Sequence, residues 1–416
     1  MNLRTPRYRP SLGAFLSILG VVCTVPHLAS AELANVGLCN IATDAPPAVE
    51  LALDRVLAHG IGAELDTVPE RIAALLPNVG AAPGAVVSVH GPGWRYVKAA
   101  GRADPDTGAP VDCQQPFQIG SNTKMMTAVV ILQLQEEGRL AIDDPLSRHL
   151  PGIAARLPNG EAITLRHLAQ HRSGVFSYTD NAPDGTPGLM EAGMTDRDAL
   201  RRPLDPLAAM DFVIDHGKPL FAPGETGQWG YSNSGYFLLG LVIERIEGRA
   251  IDKSFEERIF TPLGMDRTYL WNAAPRKAFG LSRSWLKSPF DYETTDWNLS
   301  QGWAAGAVIS TPGDMHRFIE ALVAGKLFKS PQTLALMQQT VPTGRPTELG
   351  YGIGLKQLAP GLWGHGGQTL GYLSSIGAFS EADISYVAWA SSSLNSFALG
   401  DMAILDALQT SGALPK

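Results

Sequence analysis

The sequence has few of the features that mark several common classes of protein. Acidic residues outnumber basic ones by 40 to 33, and the basic residues are not clustered with aromatic side chains, so nothing indicates nucleic-acid binding. It contains no Gly-x-Ser-x-Gly, His-Glu-x-x-His or Gly-x-x-x-x-Gly-Lys-Ser/Thr motif. The short signatures of α/β-hydrolases, zinc proteases and P-loop nucleotidases are therefore missing.

Long apolar runs are also scarce. The apolar stretch Leu12–Val25 is too short to span a bilayer comfortably. Three arginines precede it, and the small residues Ala29-Ser30-Ala31 follow it. This order is typical of a cleavable signal peptide, and a membrane anchor is the alternative.

We therefore predict export, with residues 1–31 removed as a signal peptide. Residues 32–64 would form an N-terminal extension, and residues 65–416 a catalytic domain. N-terminal sequencing of the exported protein should begin at Glu32 or within a few residues of it. An intact Met1 on a cytoplasmic protein would contradict this prediction.

The chain has only three cysteines. Cys23 would leave with the signal peptide, so Cys39 and Cys113 would remain in an oxidising compartment. We expect a disulfide bond between them that ties the extension to the segment before Ser121. Two free thiols are the alternative.

A serine and a lysine stand at the start of an apolar helical segment. Ser121 and Lys124 follow Gly120, and apolar residues recur at helical spacing up to Gly138. The two side chains should lie on one face of a buried helix, one turn apart. A serine is a weak nucleophile without a base, and a lysine in an apolar site can be that base because desolvation lowers its pKa. A capping serine beside a surface lysine would give the same pattern, so the pair alone is a weak signal.

Two downstream motifs strengthen this interpretation. Tyr231-Ser232-Asn233 and His365-Gly366-Gly367 follow the Ser-x-x-Lys motif in that order. The three motifs together resemble the serine penicillin-recognising hydrolases, within them the branch of class C-type β-lactamases and Streptomyces-type D-alanyl-D-alanine carboxypeptidases. The resemblance extends over about residues 65–410.

The resemblance implies acyl transfer through a covalent seryl intermediate, with no cofactor and no metal. Ser121 would attack an amide or ester carbonyl, while Lys124 and Tyr231 would share the role of base. Asn233 would orient Lys124 and hold the substrate. The nearby lysine would lower the pKa of Tyr231, because a cation favours the phenolate. The backbone N–H groups of Ser121 and Gln368 would stabilise the oxyanion.

The remaining expectations concern substrate recognition. His365 and Gly367 would lie beside the substrate on a strand edge. His365 replaces the lysine of most β-lactamases, which favours the carboxypeptidase, D-aminopeptidase and esterase members. Gly366 replaces a hydroxyl residue that often contacts a substrate carboxylate. Lys356 matches a basic residue that anchors the terminal D-alanine carboxylate in the carboxypeptidases, although a solvated lysine at a strand end is the alternative.

Two histidines and three tryptophans are further candidates for functional roles. His167 and His171 lie four residues apart after Thr164, and we interpret them as structural histidines rather than a metal pair. We expect the tryptophans to lie in the core or at the rim, and a place in the cleft for one of them is the alternative. These are Trp285, Trp297 and Trp303.

The hydrophobic pattern predicts an α/β (α+β) fold. Strand signals lie near both chain ends, so we expect an antiparallel sheet built from both ends, flanked by helices, with an inserted mostly helical region. The long polar segment 175–205 is expected as a loop that forms one wall of the cleft. Predicted strands are 84–90, 94–99, 351–355, 371–379 and 384–390, and predicted helices are 49–58, 70–76, 236–246, 252–264, 315–324 and 398–408.

The sequence as a whole predicts a secreted or periplasmic serine hydrolase most similar to D-alanyl-D-alanine carboxypeptidases. Its substrate would be a small molecule or peptide, such as a cell-wall peptide, a β-lactam or an ester. An esterase or weak β-lactamase with the same residues, and a penicillin-binding protein without turnover, are the alternatives. No nucleic acid and no stable membrane anchor after signal cleavage are expected.

Overall fold

Strands from the two ends of the sequence meet in one antiparallel sheet. The computed structural model describes residues 44–60, 82–271, 280–286, 292–393 and 400–414. The strands are β1 (Gly84–Gly91), β2 (Trp94–Asp104), β3 (Ala109–Pro110), β4 (Phe117–Gln118), β5 (Tyr269–Leu270), β6 (Trp285–Leu286), β7 (Tyr292–Glu293), β8 (Val308–Ser310), β9 (Gly350–Tyr351), β10 (Lys356–Ala359), β11 (Leu362–Gln368), β12 (Leu373–Phe379) and β13 (Ile384–Ala390).

The main sheet has eight strands in the order β3-β2-β1-β13-β12-β11-β10-β9. Its two halves join where β1 pairs with β13, with Val87 opposite Ala388. The predicted antiparallel sheet built from both chain ends is therefore confirmed. Two small sheets, β4-β8-β5 and β6-β7, complete the strand pairing among the described residues.

Most of the helices lie in the sequence between β4 and β9, and one further helix from each end of the chain packs on the main sheet. They are α1 (Pro47–Gly60), α2 (Thr123–Glu136), α3 (Leu146–His149), α4 (Pro151–Ala154), α5 (Leu165–Ala169), α6 (Leu189–Thr195), α7 (Arg197–Arg201), α8 (Pro206–His216), α9 (Asn233–Glu247), α10 (Ile251–Phe255), α11 (Thr261–Leu263), α12 (Trp303–Gly306), α13 (Pro312–Val323), α14 (Pro331–Met337) and α15 (Gly400–Thr410). A π-helix, Glu256–Phe260, links α10 to α11.

One face of the sheet packs against α1 and α15. The apolar residues of α1 recur at helical spacing and are buried, as at Val49, Leu53 and Leu57. They meet the alternate residues of β1 that point to this face, such as Val87. The opposite face packs on the helical region, whose centre is α2. That helix is buried on nearly all sides, which explains why its sequence is apolar all round.

Two segments differ from their predicted structure. The predicted strand 351–355 ends at Tyr351, because Gly354 adopts a positive φ of 69° and the chain turns there. The predicted loop 175–205 contains α6 and α7, where Leu200 is buried against the core and the side chain of Asp196 caps α7.

Some of the predictions lie outside the described residues. They are the signal peptide 1–31, the helix 70–76 and Cys39. Cys113 is disulfide-bonded, and both other cysteines belong to the part of the chain not described. Among the helices that the structure describes, none is long and apolar enough to cross a membrane.

Candidate active site

Ser121 lies in a tight turn between β4 and α2. This 3-10 turn, Gly120–Asn122, precedes α2, so Ser121 stands just before the helix instead of in its first α-helical turn as predicted. Gly120 has a positive φ of 54°, and a Cβ there would lie 2.8 Å from the backbone nitrogen of Gln368. Only glycine fits, and its absence of a side chain brings the serine turn against the end of β11.

A second glycine allows the same close approach from the other side. A Cβ on Gly367 would lie 2.0 Å from the carbonyl oxygen of Ile119. Gly367 is buried and serves this backbone packing, and its place beside the substrate stays a prediction.

Asn122 and Ser374 lock the serine turn to β12, and neither residue was among the predicted site residues. Asn122 Nδ2 donates to the Ile119 carbonyl at 2.8 Å and to Ser374 Oγ at 2.9 Å. Ser374 Oγ donates in turn to the Ile119 carbonyl at 3.0 Å. Asn122 and Ser374 are 252 positions apart, so no local signal reveals their contact.

Lys124 is fully buried with its amine at the centre of the site. Its Nζ lies 3.1 Å from Ser121 Oγ, 2.7 Å from Asn233 Oδ1 and 2.8 Å from the carbonyl oxygen of Ala305. Burial, and secondarily the charge of Lys356, hold the pKa of Lys124 well below its ordinary value. A neutral amine has two N–H groups, and the two oxygen acceptors use both of them. The remaining lone pair is then available to the serine hydroxyl.

Tyr231 lies immediately before α9, two residues from its first residue, Asn233. Its phenol lies close enough to the Ser121 hydroxyl for that hydroxyl to lower the pKa of Tyr231, and the Nζ of Lys124 is 4.9 Å from its ring centroid. Burial raises the pKa of Tyr231, and the opposing contribution of Ser121 is smaller. The expected lowering of this pKa was therefore wrong, because desolvation of the phenolate outweighs the neighbouring charges.

Asn233 connects the lysine to the 175–205 segment. While its Oδ1 accepts from Lys124, its Nδ2 donates to Thr179 Oγ1 at 3.1 Å. Its backbone N–H donates to Ser177 Oγ at 3.1 Å. Thr179 and Ser177 thus fix the amide that orients the amine.

His365 lies on β11 with its imidazole buried beneath the strand. Its Nδ1 donates to the carbonyl oxygen of Gly366 at 2.6 Å, so Nε2 is the acceptor and is 3.0 Å from the Tyr351 hydroxyl. Burial lowers the pKa of His365 well below its ordinary value, which keeps the ring neutral. Only 1% of His365 is exposed, so its imidazole packs in the interior against the face of β11.

The backbone N–H of Gln368 is directed toward the serine turn. The N–H of the next residue, Thr369, bonds to the carbonyl of Tyr372, the residue just before the partner strand β12. Amide directions alternate along a strand, so the N–H of Gln368 faces the opposite side, where Gly120 lies. The N–H of Ser121 lies in the 3-10 turn Gly120–Asn122 that precedes α2, and the first donors of such a turn have no partner within it. The close approach of Gly120 to Gln368 N brings this donor to the turn that contains Ser121, and the two N–H groups are our candidates for the oxyanion site.

Lys356 already has a partner in the protein. Its Nζ lies 2.7 Å from Oε2 of Glu348, whose side chain is fully buried. The expectation of a lysine held available for a substrate carboxylate is therefore not supported by its contacts. Arg345 lies nearer the open side, with its guanidinium 4.8 Å from the centroid of Trp229 and 5.7 Å from that of Tyr231.

The tryptophans named above have structural contacts. Trp297 is buried and donates to Gln301 Oε1. Trp303 packs edge-on against Phe237, and Trp285 lies under the guanidinium of Arg283.

A group of possible metal ligands lies between β1 and α13. The ligand atoms of His90, His316 and Glu320 are within 4.8 Å of one another. The two imidazoles are stacked with centroids 3.6 Å apart and planes 9° apart. Their in-plane lone pairs are therefore nearly parallel and do not converge, and the nitrogens of His316 bond to Ser88 and Ser385. This geometry suits a hydrogen-bonded cluster better than a metal site.

Comparison with known proteins gives the family. The sequence model named Beta-lactamase matches residues 71–409. A solved structure of a D-stereospecific amidohydrolase from Streptomyces sp. is 28% identical with a TM-score of 0.68, covering 86% of this chain and 97% of that one. The chain belongs to the Beta-lactamase family of serine acyl-transfer hydrolases.

Two curated relatives match this chain over only part of their own length. A candidate penicillin-binding protein, PbpX, of Bacillus subtilis is 27% identical over 69% of this chain and 64% of its own length. A teichoic acid D-alanine hydrolase of Staphylococcus aureus is 25% identical over 57% of this chain and 53% of its own length. The chain thus spans less than two thirds of the length of each.

Proposed function

We propose that this protein is an exported serine hydrolase that cleaves amides or esters of D-amino acids through an acyl-enzyme. The observation that carries the proposal is the buried amine of Lys124, which lies 3.1 Å from Ser121 Oγ and has its two acceptors fixed by Asn233 and Ala305. A buried lysine is costly, so its place beside a partly exposed serine supports a catalytic role.

In this mechanism Lys124 takes the proton of Ser121 as Oγ bonds to the carbonyl carbon. The carbonyl electrons move to oxygen, where the N–H groups of Ser121 and Gln368 stabilise the charge. Collapse breaks the bond to the leaving group, which takes the phenol proton of Tyr231, and protonated Lys124 then returns its proton to the phenolate. The raised pKa of Tyr231 suits this role, because the phenol remains protonated and can donate. Water then attacks the ester carbonyl and gives one proton to Lys124. The bond to Ser121 Oγ breaks, Oγ takes that proton from Lys124, and the acid is released.

The residues that could hold a substrate carboxylate favour substrates without one. Gly366 offers no hydroxyl to such a group. Lys356 is already paired with Glu348. The D-stereospecific amidohydrolase and the D-alanine hydrolase among the similar proteins support a D-aminoacyl substrate.

A substrate panel tests the proposal. We expect D-alanine amide and D-alanine p-nitroanilide to be hydrolysed faster than their L-enantiomers, and faster than a peptide ending in D-Ala-D-Ala or a cephalosporin. Equal rates on the enantiomers would contradict the D-aminoacyl assignment. A single acylation without turnover on every compound would identify a binding protein instead.

Carboxypeptidase activity is the second candidate function, and a variant of Lys356 distinguishes it from the first. Because Lys356 pairs with Glu348, we expect Lys356→Ala to affect a free-carboxylate peptide and a neutral ester equally. It should also lower the free energy of unfolding by about 3–5 kcal/mol, since it leaves Glu348 buried without a counter-charge. Thermal denaturation and the two kcat/KM values check this, with Lys356→Ala/Glu348→Gln as the control that removes the stranded charge.

A different outcome would favour the carboxypeptidase. A loss of about 1.5–3 kcal/mol confined to the free-carboxylate peptide is the size of a hydrogen bond to a charged group. That result would establish Lys356 as the carboxylate anchor.

A further inference from the structure

His171 follows α5 and has a left-handed backbone, with φ of 58°. A residue other than glycine adopts this conformation at a free-energy cost, and such residues cluster at functional sites. His171 is fully buried. Its contacts indicate what the conformation achieves.

The residue bonds to the backbone on both sides of Tyr231. The N–H of Gly230 donates to the carbonyl oxygen of His171 at 3.0 Å. The N–H of Ser232 donates to Nδ1 of His171 at 3.1 Å. One residue therefore binds the backbone N–H groups of both neighbours of Tyr231. These two bonds fix the position and orientation of the tyrosine backbone.

The imidazole also supports the phenol ring directly. Its centroid is 4.2 Å from that of Tyr231, with the planes 35° apart. Tyr351 at 4.7 Å and the perpendicular Trp229 at 5.6 Å enclose the imidazole from other sides. The Nζ of Lys124 lies 4.9 Å from the Tyr231 centroid. Small movements of His171 would thus move the phenol relative to the amine and to Ser121.

The hydrogen bonds define the tautomer of His171. Nδ1 accepts from Ser232, so in the neutral ring the proton is on Nε2. Among the described residues Nε2 has no hydrogen-bond partner and is buried. Burial, with smaller contributions from the charges of Lys124 and His365, lowers the pKa of His171 well below its ordinary value. A neutral, enclosed imidazole does not exchange protons with substrate.

We infer that His171 is the positioning residue of Tyr231, acting through two backbone hydrogen bonds and a ring contact. The inference rests on the proposed acyl-transfer function, in which the Tyr231 phenol passes a proton to the leaving group. His171 touches neither the reacting atoms nor the substrate, so its effect should depend entirely on the phenol.

A double-mutant cycle tests this dependence. His171→Leu removes the acceptor and disfavours the left-handed backbone, whereas His171→Asn keeps an acceptor near the Nδ1 position and tolerates that backbone. Each is made with Tyr231 and with Tyr231→Phe, and hydrolysis of D-alanine p-nitroanilide is measured. We expect His171→Leu to lower kcat by about 10- to 100-fold, the effect of a small misplacement, with little change in KM. We expect His171→Asn to restore most of the loss.

In the Tyr231→Phe protein, His171→Leu should cause less than about twofold further loss of kcat, since the effects of coupled residues are not additive.

His167→Asn is the matched control, because His167 caps α5 and lies against Gly224, away from Tyr231. It should keep the wild-type kcat. Thermal denaturation of every variant distinguishes an unfolded protein from a folded protein in which the Tyr231 phenol is misplaced. If His171→Leu does not fold, His171→Gln takes its place in the cycle.

Two results would overturn the inference. One is a loss from His171→Leu that is equally large with and without the Tyr231→Phe substitution, and the other is no recovery with His171→Asn. A Tyr231→Phe protein as active as the wild type would refute the proposed role of Tyr231 first, and the positioning role with it.

Discussion

Ser121→Ala is expected to reduce kcat by roughly 10⁶-fold, the loss found when the nucleophile of a serine hydrolase is removed. The reason is that the acyl-enzyme needs an oxygen at this position, and the turn places Oγ 3.1 Å from the amine of Lys124. Turnover of D-alanine p-nitroanilide measures the effect. Folding should change little, because Ser121 is partly exposed and the removed group is small.

A matched control is Ser177→Ala, which removes a hydroxyl near the site without touching the nucleophile. Ser177 Oγ accepts from the backbone of Asn233, so this variant should lose far less activity than Ser121→Ala. Comparable losses in the two variants would indicate that the site depends on its hydrogen-bond network in general and not on a serine nucleophile.

Lys124→Arg is expected to be as inactive as Lys124→Met, with kcat lowered by about 10²–10⁴-fold, the usual contribution of a general base. Arginine keeps the positive charge but cannot be deprotonated in a protein, so it cannot accept the serine proton. If Lys124 acted only as a cation, the arginine variant would retain much of the activity that the methionine variant loses.

The pH dependence of the wild type follows from the same amine. The pKa of Lys124 is lowered, so the reactive neutral form persists to pH values well below the ordinary pKa of lysine. kcat/KM should be lost as the pH falls through this lowered pKa, because protonated Lys124 cannot act as a base. Both Lys124 variants should lack that acidic limb, and a limb that survives unchanged would assign it to another group.

The sequence predicted the elements whose signals are local. Apolar residues at helical spacing predicted α2, and the strand signals at 84–90 and 94–99 predicted β1 and β2. The order of three motifs indicated which distant residues meet at Ser121, and the structure brings Lys124, Tyr231 and Asn233 together there. The strand predicted after Tyr351 failed because the positive φ of Gly354 was not recognised.

What the sequence did not predict depends on contacts between distant segments. Glu348 pairs with Lys356 because β9, which follows Glu348, lies beside β10, which begins at Lys356. A glutamate is usually exposed, so its burial cannot be read from the local sequence. The direction of the Tyr231 pKa depends on how tightly the phenol is enclosed, which no spacing reveals. His171 was interpreted as merely structural, since only the folded chain shows its two bonds around Tyr231.

The central claim is that Ser121 carries the acyl group, and trapping the intermediate tests it most directly. The protein is mixed with a penicillin that deacylates slowly, quenched in acid, and digested for mass spectrometry. We expect an adduct of the intact penicillin mass on the peptide that contains Ser121, and none in Ser121→Ala. An adduct on another residue, or labelling that persists in Ser121→Ala, would contradict the account.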